Sequence, residues 1–254
     1  MKIVACYKLV PEEQDLVVNA DSTLDFSSAP WKVGDYDLTA IEMAMRFGES
    51  AEGAEVVLLT YGDDIVTDQK LKKGVYARGP QMGYAVKDAA AQGSDPYQTA
   101  SVLAAAIRKI GDVDLVVCGE GSGDVYSQQV GPILGAMLNV SVVNAVKKGS
   151  LGDGAITVKR DLEDRVEVTQ MPLPAVVSTT SEACRPRIAG MKDILAAGKK
   201  EQVVWAIDDL PEAPAASSKV VVSTLAPLKK ERACTVFEGV DSIGEFVEAL
   251  RKAM

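Results

Sequence analysis

Short apolar runs alternate with amphipathic segments along the first part of the chain. The strand-like runs are rich in β-branched and apolar residues at successive positions, as is typical of strands buried on both faces. They lie at residues 2–8, 55–62, 82–88, 113–119 and 140–146. Between them, segments at residues 38–47, 66–79, 94–111 and from about 126 to 138 carry apolar residues at helical spacing. This alternation predicts a doubly wound α/β fold with a parallel sheet.

Local signals mark the ends of two predicted helices. In the clearest one, Asp95 stands at the N-cap, Pro96 at the first helical position and Gly111 after the last turn. For the first helix, Asp35 or Asp37 is the predicted cap, because a short acidic side chain can accept the free N–H groups of the first turn.

The pattern changes after residue 146. Residues 155–170 alternate with a period of two and predict a β-hairpin that turns near Glu163 and Asp164. A buried strand is predicted at 174–181, and the chain beyond Cys184 is basic and irregular. The segment 210–219 is rich in Pro, Ala and Ser and predicts a linker or extended arm, and a last helix is predicted at 242–254.

Composition narrows the function classes. The 254 residues are 47% hydrophobic and carry a net charge of −9, so the surface repels nucleic acid and anionic lipid. No apolar run approaches the roughly 18 residues of a membrane span, and the first residues predict a strand rather than a signal peptide. The four cysteines are far apart and suit reduced thiols in a cytoplasmic protein. The absence of histidine excludes Ser-His-Asp and Cys-His nucleophiles and His-ligated metals.

A glycine-rich stretch, "CGEGSGDVYSQQVGP" at 118–132, follows the fourth predicted strand and precedes a helix. Ligands of open α/β sheets bind at the carboxyl ends of strands, and bare amides that open a helix suit phosphate oxygens. The stretch is neither a first-strand dinucleotide fingerprint nor a Walker A loop. It predicts an anion or nucleotide site formed by backbone N–H groups of 119–130. The alternative is a glycine-rich turn without a ligand.

Several segments, in the right order, resemble the beta subunit of electron-transfer flavoprotein. They are "KIVACYKLVPE", "DYDLTAIEMAMRF", "SGDVYSQQVGPILGAMLNVSVVNAV" and "KRDLEDRVEVTQMPLPAVVSTTSEACRPRIAGMKDILAAGKK". The loop and its following helix are the most specific match, and the resemblance covers nearly the whole chain. The start and the loop are most similar to bacterial members linked to acyl-CoA or carnitine metabolism.

The resemblance implies an adenine nucleotide alpha hydrolase-like fold with an added β-hairpin and a C-terminal arm that embraces a partner. Residues 1–184 would form the nucleotide-binding domain, and 185–254 a recognition loop and an extension contacting an alpha subunit. In the implied heterodimer, FAD is shared with the alpha subunit, and this subunit holds AMP or a second FAD. The pair would exchange electrons with an acyl-CoA dehydrogenase-type partner, as a simple shuttle or by flavin-based bifurcation, with no catalytic residues of this chain's own.

The same resemblance places nucleotide contacts at three strand ends. They are Cys6 and Tyr7; Gly34, Asp35 and Tyr36 with Thr60, Tyr61 and Gly62; and the loop residues Gly119, Glu120, Gly121, Ser122, Gly123, Asp124, Val125, Tyr126, Ser127, Gln128, Gln129 and Val130. Amides of 121–124 would face phosphates, and Ser127, Gln128 and Gln129 would add polar contacts at the helix start. The family often has "NP" where this chain has "GD" at 34–35, and a run of aspartates where only Asp124 remains, which leaves the nucleotide open.

Two further predictions have explicit alternatives. Met191 falls where the family inserts an apolar side chain into a partner dehydrogenase, and the alternative is a core methionine that opens a helix. For the whole chain, the alternative to an electron carrier is an adenine-nucleotide-binding regulatory module without a redox role. A third class, an amidohydrolase-like or adenylating enzyme, finds no supporting residue set.

Overall fold

The computed structural model describes residues 1–21, 23–211, 214, 217–220 and 234–253. The strands of this part of the chain are β1 (Lys2–Tyr7), β2 (Leu9–Pro11), β3 (Val17–Val18), β4 (Leu24–Asp25), β5 (Trp31–Val33), β6 (Glu55–Gly62), β7 (Met82–Lys87), β8 (Leu115–Gly119), β9 (Ser141–Val146), β10 (Lys148–Gly152), β11 (Ala155–Asp161), β12 (Val166–Pro172), β13 (Ala175–Thr179) and β14 (Gln202–Ala206). The helices are α1 (Asp35–Ser50), α2 (Gln69–Tyr76), α3 (Pro96–Ile110), α4 (Val130–Leu138), α5 (Met191–Ala197) and α6 (Ile243–Ala253).

Seven strands form one parallel sheet in the order β14-β7-β6-β1-β8-β13-β9. The chain builds outward from β1 to β6 and β7 on one side, and α3 then carries it to β8 on the other side of β1. The strand order therefore reverses at β1, which opens a crevice at the carboxyl ends of the central strands. The predicted doubly wound parallel sheet is confirmed.

Helices cover both faces of the sheet. Alternate residues of β1 point to opposite faces, so Ile3 and Ala5 pack with α1 and α2 while Val4 and Cys6 pack with α3 and α4. Because both faces are buried, the central strands need apolar residues at every position, and this explains the continuous apolar runs of the sequence.

The predicted hairpin is part of a three-stranded antiparallel sheet. Strands β11 and β12 form the hairpin, whose turn is closed by a hydrogen bond from Leu162 N–H to Arg165 O, and β10 pairs along the other edge of β11. Ile156 and Met171 join the core on the α1 side of the main sheet. The third strand was not predicted, because its sequence, "KGSLG", has little β propensity of its own.

Two helix starts differ from the prediction. The helix expected from about residue 126 begins at Val130, because Tyr126 and Gln128 have φ angles of 49° and 57°, which no α-helix accommodates. The cap of α1 is Gly34 rather than Asp35 or Asp37, and both aspartates lie within the first turn. The cap of α3 is confirmed: the Asp95 side chain accepts from Gln98 N–H, and Gly111 follows with a φ of 70°.

The chain beyond Cys184 is more regular than the sequence predicted. It contributes α5 and then β14, which pairs in parallel with β7 and completes one edge of the sheet. The predicted last helix is confirmed as α6, although Met254 lies outside the described residues. Residues 212, 213, 215 and 216 of the predicted linker also lie outside them. Across the described ranges, no helix has the length and apolarity needed to cross a membrane.

Candidate functional site

A cleft opens at the carboxyl ends of β1, β6 and β8, where the strand order reverses. The predicted site residues that line it are Cys6, Tyr7, Tyr61, Gly119, Glu120, Gly121, Ser122, Val125, Ser127, Gln128, Gln129 and Val130. The predicted site residues that do not line it are Gly34, Asp35, Tyr36, Thr60, Gly62, Gly123, Asp124 and Tyr126. Lining residues that the sequence analysis did not select are Lys8, Asp37, Ala91, Ser94, Pro96, Thr99, Leu103 and Cys118.

Asp37 is the most consequential residue that the sequence analysis missed as a site residue. Its carboxylate accepts the N–H of Lys8 at 2.7 Å and also the N–H of Gly119, so it joins the ends of two neighbouring strands under the cleft. Burial raises the pKa of Asp37 to about 7, although the two N–H donors act in the opposite direction. The sequence predicted only a helix cap here, because its contacts are far away along the chain.

The glycines of the loop have different roles. A Cβ on Gly119 would lie 2.7 Å from Asp37 Oδ1, and one on Gly121 would lie 2.5 Å from the Tyr126 ring. Internal packing therefore accounts for these two glycines without a ligand. For Gly123, no described atom lies within 4 Å of the added Cβ. Gly123 is the glycine of this loop that faces open space.

Several loop amides are already used inside the protein. The N–H of Glu120 donates to Thr179 O at 3.0 Å, that of Tyr126 to Ser122 O at 2.9 Å, and that of Gly119 to Asp37. The N–H of Val125 donates to the Asp124 side chain at 3.0 Å. Phosphate binding by the amides of 119–130 stays a prediction, and its candidate donors are the amides not used inside the protein, among them those of 121–124 and of the start of α4.

The N-terminus of α4 faces the cleft without a side-chain cap. Its N-cap is Gln129, whose side chain makes no capping hydrogen bond with the described residues, and both Gln129 and Val130 line the cleft. By contrast, Asp68 caps α2 and Asp95 caps α3. The first N–H groups of a helix carry positive partial charge, so an uncapped start favours a bound anion.

Lys8 is the cationic side chain of the cleft lining in the part of the chain that the structure describes. Its Nζ lies 2.6 Å from Asp124 Oδ2, and both side chains are partly exposed. Although burial acts against it, the Lys8 ammonium holds the pKa of Asp124 below its usual value. A second anion near Lys8 would share this ammonium with Asp124.

Tyr61 brings an unpartnered polar atom to the cleft. The side chain is 8% exposed, and its hydroxyl has no hydrogen-bond partner among the described residues. Burial raises the pKa of Tyr61 to about 12, so the hydroxyl is protonated at neutral pH. A buried hydroxyl without a partner costs stability, and a bound ligand could supply the missing partner.

The predicted residues around 34–36 shape the loop from outside. The rings of Tyr36 and Tyr126 are 5.2 Å apart between centroids, and the Tyr126 hydroxyl donates to Glu120 Oε1 at 3.1 Å. The amide of Gln128 donates to that hydroxyl at 3.0 Å, and Gly34 N–H donates to Lys8 O at 3.0 Å. These contacts hold the loop in its conformation, and Gly34 and Tyr36 themselves do not line the cleft.

The remaining predicted residues are packed. Thr60 is fully buried, a Cβ on Gly62 would meet Val66 at 2.5 Å, and Cys6 and Cys118 are both buried at the cleft floor. A hydrogen bond with Cys118, followed by burial, raises the pKa of the Cys6 thiol, so it is no ready nucleophile. No group of three or more Cys, Asp or Glu residues within the described ranges could hold a metal ion.

Met191 lies away from the cleft at the first position of α5. It is 75% exposed, so the alternative of a core methionine is wrong. Ile188 and Leu195 are exposed beside it in sequence. The preceding segment is held by Arg187, whose Nε lies 2.7 Å from Glu42 Oε2. Met191 and its exposed apolar neighbours therefore follow a segment that an ion pair holds in place.

A doubly wound parallel sheet with a cleft at its switch point is typical of ligand-binding α/β proteins. The model of the "Electron transfer flavoprotein domain" matches residues 22–210, which is most of the chain. The chain therefore belongs to the electron transfer flavoprotein family, whose members bind flavin and transfer electrons.

Proposed function

We propose that this chain is the beta subunit of an electron-transfer flavoprotein and that its cleft holds an adenine nucleotide, either AMP or a second FAD. The observation that carries the proposal is the cleft itself. It lies at the switch point of a flavoprotein-family fold, and the uncapped start of α4 and the Lys8 ammonium both favour an anion there.

The cleft residues fit the phosphate end of such a nucleotide. Amides of 121–124 and the start of α4 would donate to phosphate oxygens, Lys8 would supply charge, and the Tyr61 hydroxyl would gain a partner. Ser127, Gln128 and Gln129 offer further polar groups along the same wall. The flavin would supply the redox chemistry when bound, and the role of this chain would be to bind and orient its cofactors. The lack of histidine agrees with a protein that has no acid/base catalysis of its own.

The partner we propose for the C-terminal region is an alpha subunit that shares its FAD with this chain. No residue of α6 is buried against the described part of the chain, although Ile243, Phe246, Val247 and Leu250 are large apolar residues on it. An amphipathic helix with an uncovered apolar side is a typical subunit contact. We accordingly assign 1–184 to nucleotide binding and 185–254 to partner contacts.

The electron partner we propose is an acyl-CoA dehydrogenase-type protein, as in bacterial acyl-CoA or carnitine metabolism, that receives the Met191 side chain. Exposed Ile188 and Leu195 support an apolar contact around it. The positive charges of Arg187 and Lys200 are already used inside the protein, so they contribute little to attracting an acidic partner. Arg187 forms ion pairs with Glu42 and Glu49. Lys200 donates hydrogen bonds to Tyr76 O and Pro80 O.

We place the protein in the cytoplasm, since the cysteines of the described residues are all unpaired.

Co-purification with the product of the neighbouring gene tests the proposal. We expect a yellow heterodimer with a flavin spectrum. Denaturing it and counting flavins would then separate a simple shuttle, with a single flavin and AMP, from a bifurcating protein with a second flavin. A colourless monomer that binds ATP would contradict the proposal and support the regulatory module.

A further inference from the structure

A short piece of the C-terminal extension lies on the first turn of α3. The N–H groups of Lys219 and Val220 donate to Asp95 Oδ2 at 2.6 and 2.9 Å. The Ser218 hydroxyl accepts the N–H of Asp95 at 2.8 Å and donates to Gln98 Oε1 at 2.8 Å. Polar groups of the first turn of α3 and of residues 218–220 therefore supply each other's hydrogen-bond partners.

Asp95 has two roles in this contact. Its Oδ1 accepts Gln98 N–H at 2.8 Å and caps α3, while its Oδ2 binds the extension. Asp95 is 8% exposed and Gln98 is 3% exposed, so the α3 side of this contact is buried. Burial works against ionisation, but the donated backbone N–H groups hold the pKa of Asp95 below its usual value.

The same turn forms part of the cleft wall. Ser94, Pro96 and Thr99, which flank Asp95 on both sides, line the cleft. The hydroxyls of Ser94 and Thr99 lie 3.0 Å apart, which ties the residue before the helix to its first turn. Any shift of Asp95 therefore moves cleft-lining atoms.

We propose that this contact, which we call the α3 latch (Asp95, Gln98, Ser218, Lys219 and Val220), couples the seating of the C-terminal extension to ligand binding in the cleft. The extension fixes the α3 start in the geometry that the cleft ligand contacts, and the ligand in turn secures the extension. Coupling of this kind is reciprocal by thermodynamic linkage. The proposal rests on the proposed function, since it takes the cleft ligand to be an adenine nucleotide and the extension to contact a partner.

Asp95→Asn is the sharpest variant of the latch. Asparagine is as good an N-cap as aspartate, so α3 keeps its start. Its amide nitrogen, however, cannot accept the N–H groups of Lys219 and Val220. Asp68→Asn is the matched control, because Asp68 caps α2 through Lys70 and Leu71 N–H groups. Ser218→Ala is a second variant that leaves α3 itself unchanged.

The readouts are amide hydrogen exchange at residues 219–220 and calorimetric affinity for AMP, both on the full chain. In Asp95→Asn we expect exchange at these amides to be at least about tenfold faster, since hydrogen bonds to a charged acceptor are lost. We expect AMP to bind about fivefold more weakly, and AMP to slow this exchange in the wild type only. Ser218→Ala should change both in the same direction, and Asp68→Asn neither.

Unchanged exchange in both latch variants would show that no latch exists. Faster exchange with unchanged AMP affinity would overturn the coupling while leaving the proposed function intact. If the wild type binds neither AMP nor FAD, the proposed function and the coupling both fail, and exchange alone then decides whether the extension is held by α3.

Discussion

The carboxylate of Asp37 accepts the backbone N–H of Lys8 at 2.7 Å, across 29 positions of sequence. It also accepts the N–H of Gly119, so a single buried acid in the first turn of α1 holds the ends of β1 and β8 together. The cleft opens over this junction. The position of the glycine loop thus depends on a residue that belongs to neither strand.

Asp37 should make stability fall as pH rises from about 4 to 7. Its pKa is raised from 3.8 to about 7 in the folded protein, so in this window the folded state holds a proton that the unfolded state has lost. The greatest slope is about 1.4 kcal/mol per pH unit. Because other carboxylates, such as Asp95 and Asp124, also change stability with pH, the Asp37 slope should appear as the difference between the wild-type and Asp37→Asn profiles in urea denaturation across this range. Identical pH profiles for the two would contradict a proton on Asp37.

Removing the Tyr61 hydroxyl should have opposite effects on the free and the ligand-bound protein. Tyr61→Phe deletes an unpartnered buried group, so the free energy of unfolding should stay equal or rise by up to about 1 kcal/mol. AMP or FAD affinity should fall about fivefold, because the hydroxyl finds its partner on the ligand. Tyr76→Phe is the control, since the Tyr76 hydroxyl is also unpartnered among the described residues but does not line the cleft. Equal affinities of wild type and Tyr61→Phe would exclude this contact.

The Lys8 and Asp124 side chains should affect an anionic ligand in opposite directions. Lys8→Gln removes a positive charge from the cleft wall, and Asp124→Asn frees the ammonium from its carboxylate partner. Because both are partly exposed, we expect changes of only a few-fold in AMP affinity, weaker for the first and tighter for the second, and smaller in high salt. Lys147→Gln and Asp161→Asn break another 2.6 Å ion pair, outside the cleft, and should change nothing. Tighter binding by Lys8→Gln would be incompatible with a phosphate beside it.

A polar residue on the apolar side of α6 should weaken the heterodimer. Phe246 is 47% exposed, so Phe246→Gln should leave the isolated chain folded and lower its affinity for the alpha subunit at least about tenfold. Glu248→Gln introduces the same residue about 200° further around the helix and is the matched control. Analytical ultracentrifugation of the co-expressed pair gives the comparison. Equal association of both variants would mean that the partner lies elsewhere.

The main sheet was predictable because local patterns specify it. Strands buried on both faces carry continuous apolar runs, and α3 carries Asp95, Pro96 and Gly111 at its ends. The third strand of the hairpin sheet, β10, was missed because its pairing with β11, not its own sequence, makes it a strand. The edge strand β14 was missed although its sequence, "QVVWA", contains residues that favour strands.

The place of the cleft was predictable from the sequence, but its details were not. The glycine loop pointed to the strand ends at which the cleft lies, yet Gly119 and Gly121 are glycines for packing reasons that only the folded chain reveals. Tyr126 was assigned to a helix, although its left-handed backbone lets its ring pack on Tyr36. No sequence pattern marked Ser94 and Thr99 as cleft residues, because whether they line the cleft depends on where α3 packs against the sheet.

Gly123→Val separates ligand binding from folding. The added side chain meets no described atom within 4 Å of its Cβ, so the empty protein should fold normally, but the new bulk blocks close approach of a ligand to the backbone. Gly123 lies between the lining residues Ser122 and Val125, although it does not itself line the cleft. Gly74→Val is the control, because Gly74 lies in α2, outside the glycine-rich loop, with equally open space around its Cβ.

The most direct measurement is the nucleotide released on denaturing the purified heterodimer, compared among wild type, Gly123→Val and Gly74→Val. We predict that the wild type and Gly74→Val release AMP or a second FAD from this subunit, and that Gly123→Val loses it while keeping the FAD shared with the alpha subunit. A Gly123→Val heterodimer that retains the full nucleotide content would contradict the placement of the adenylate in this cleft.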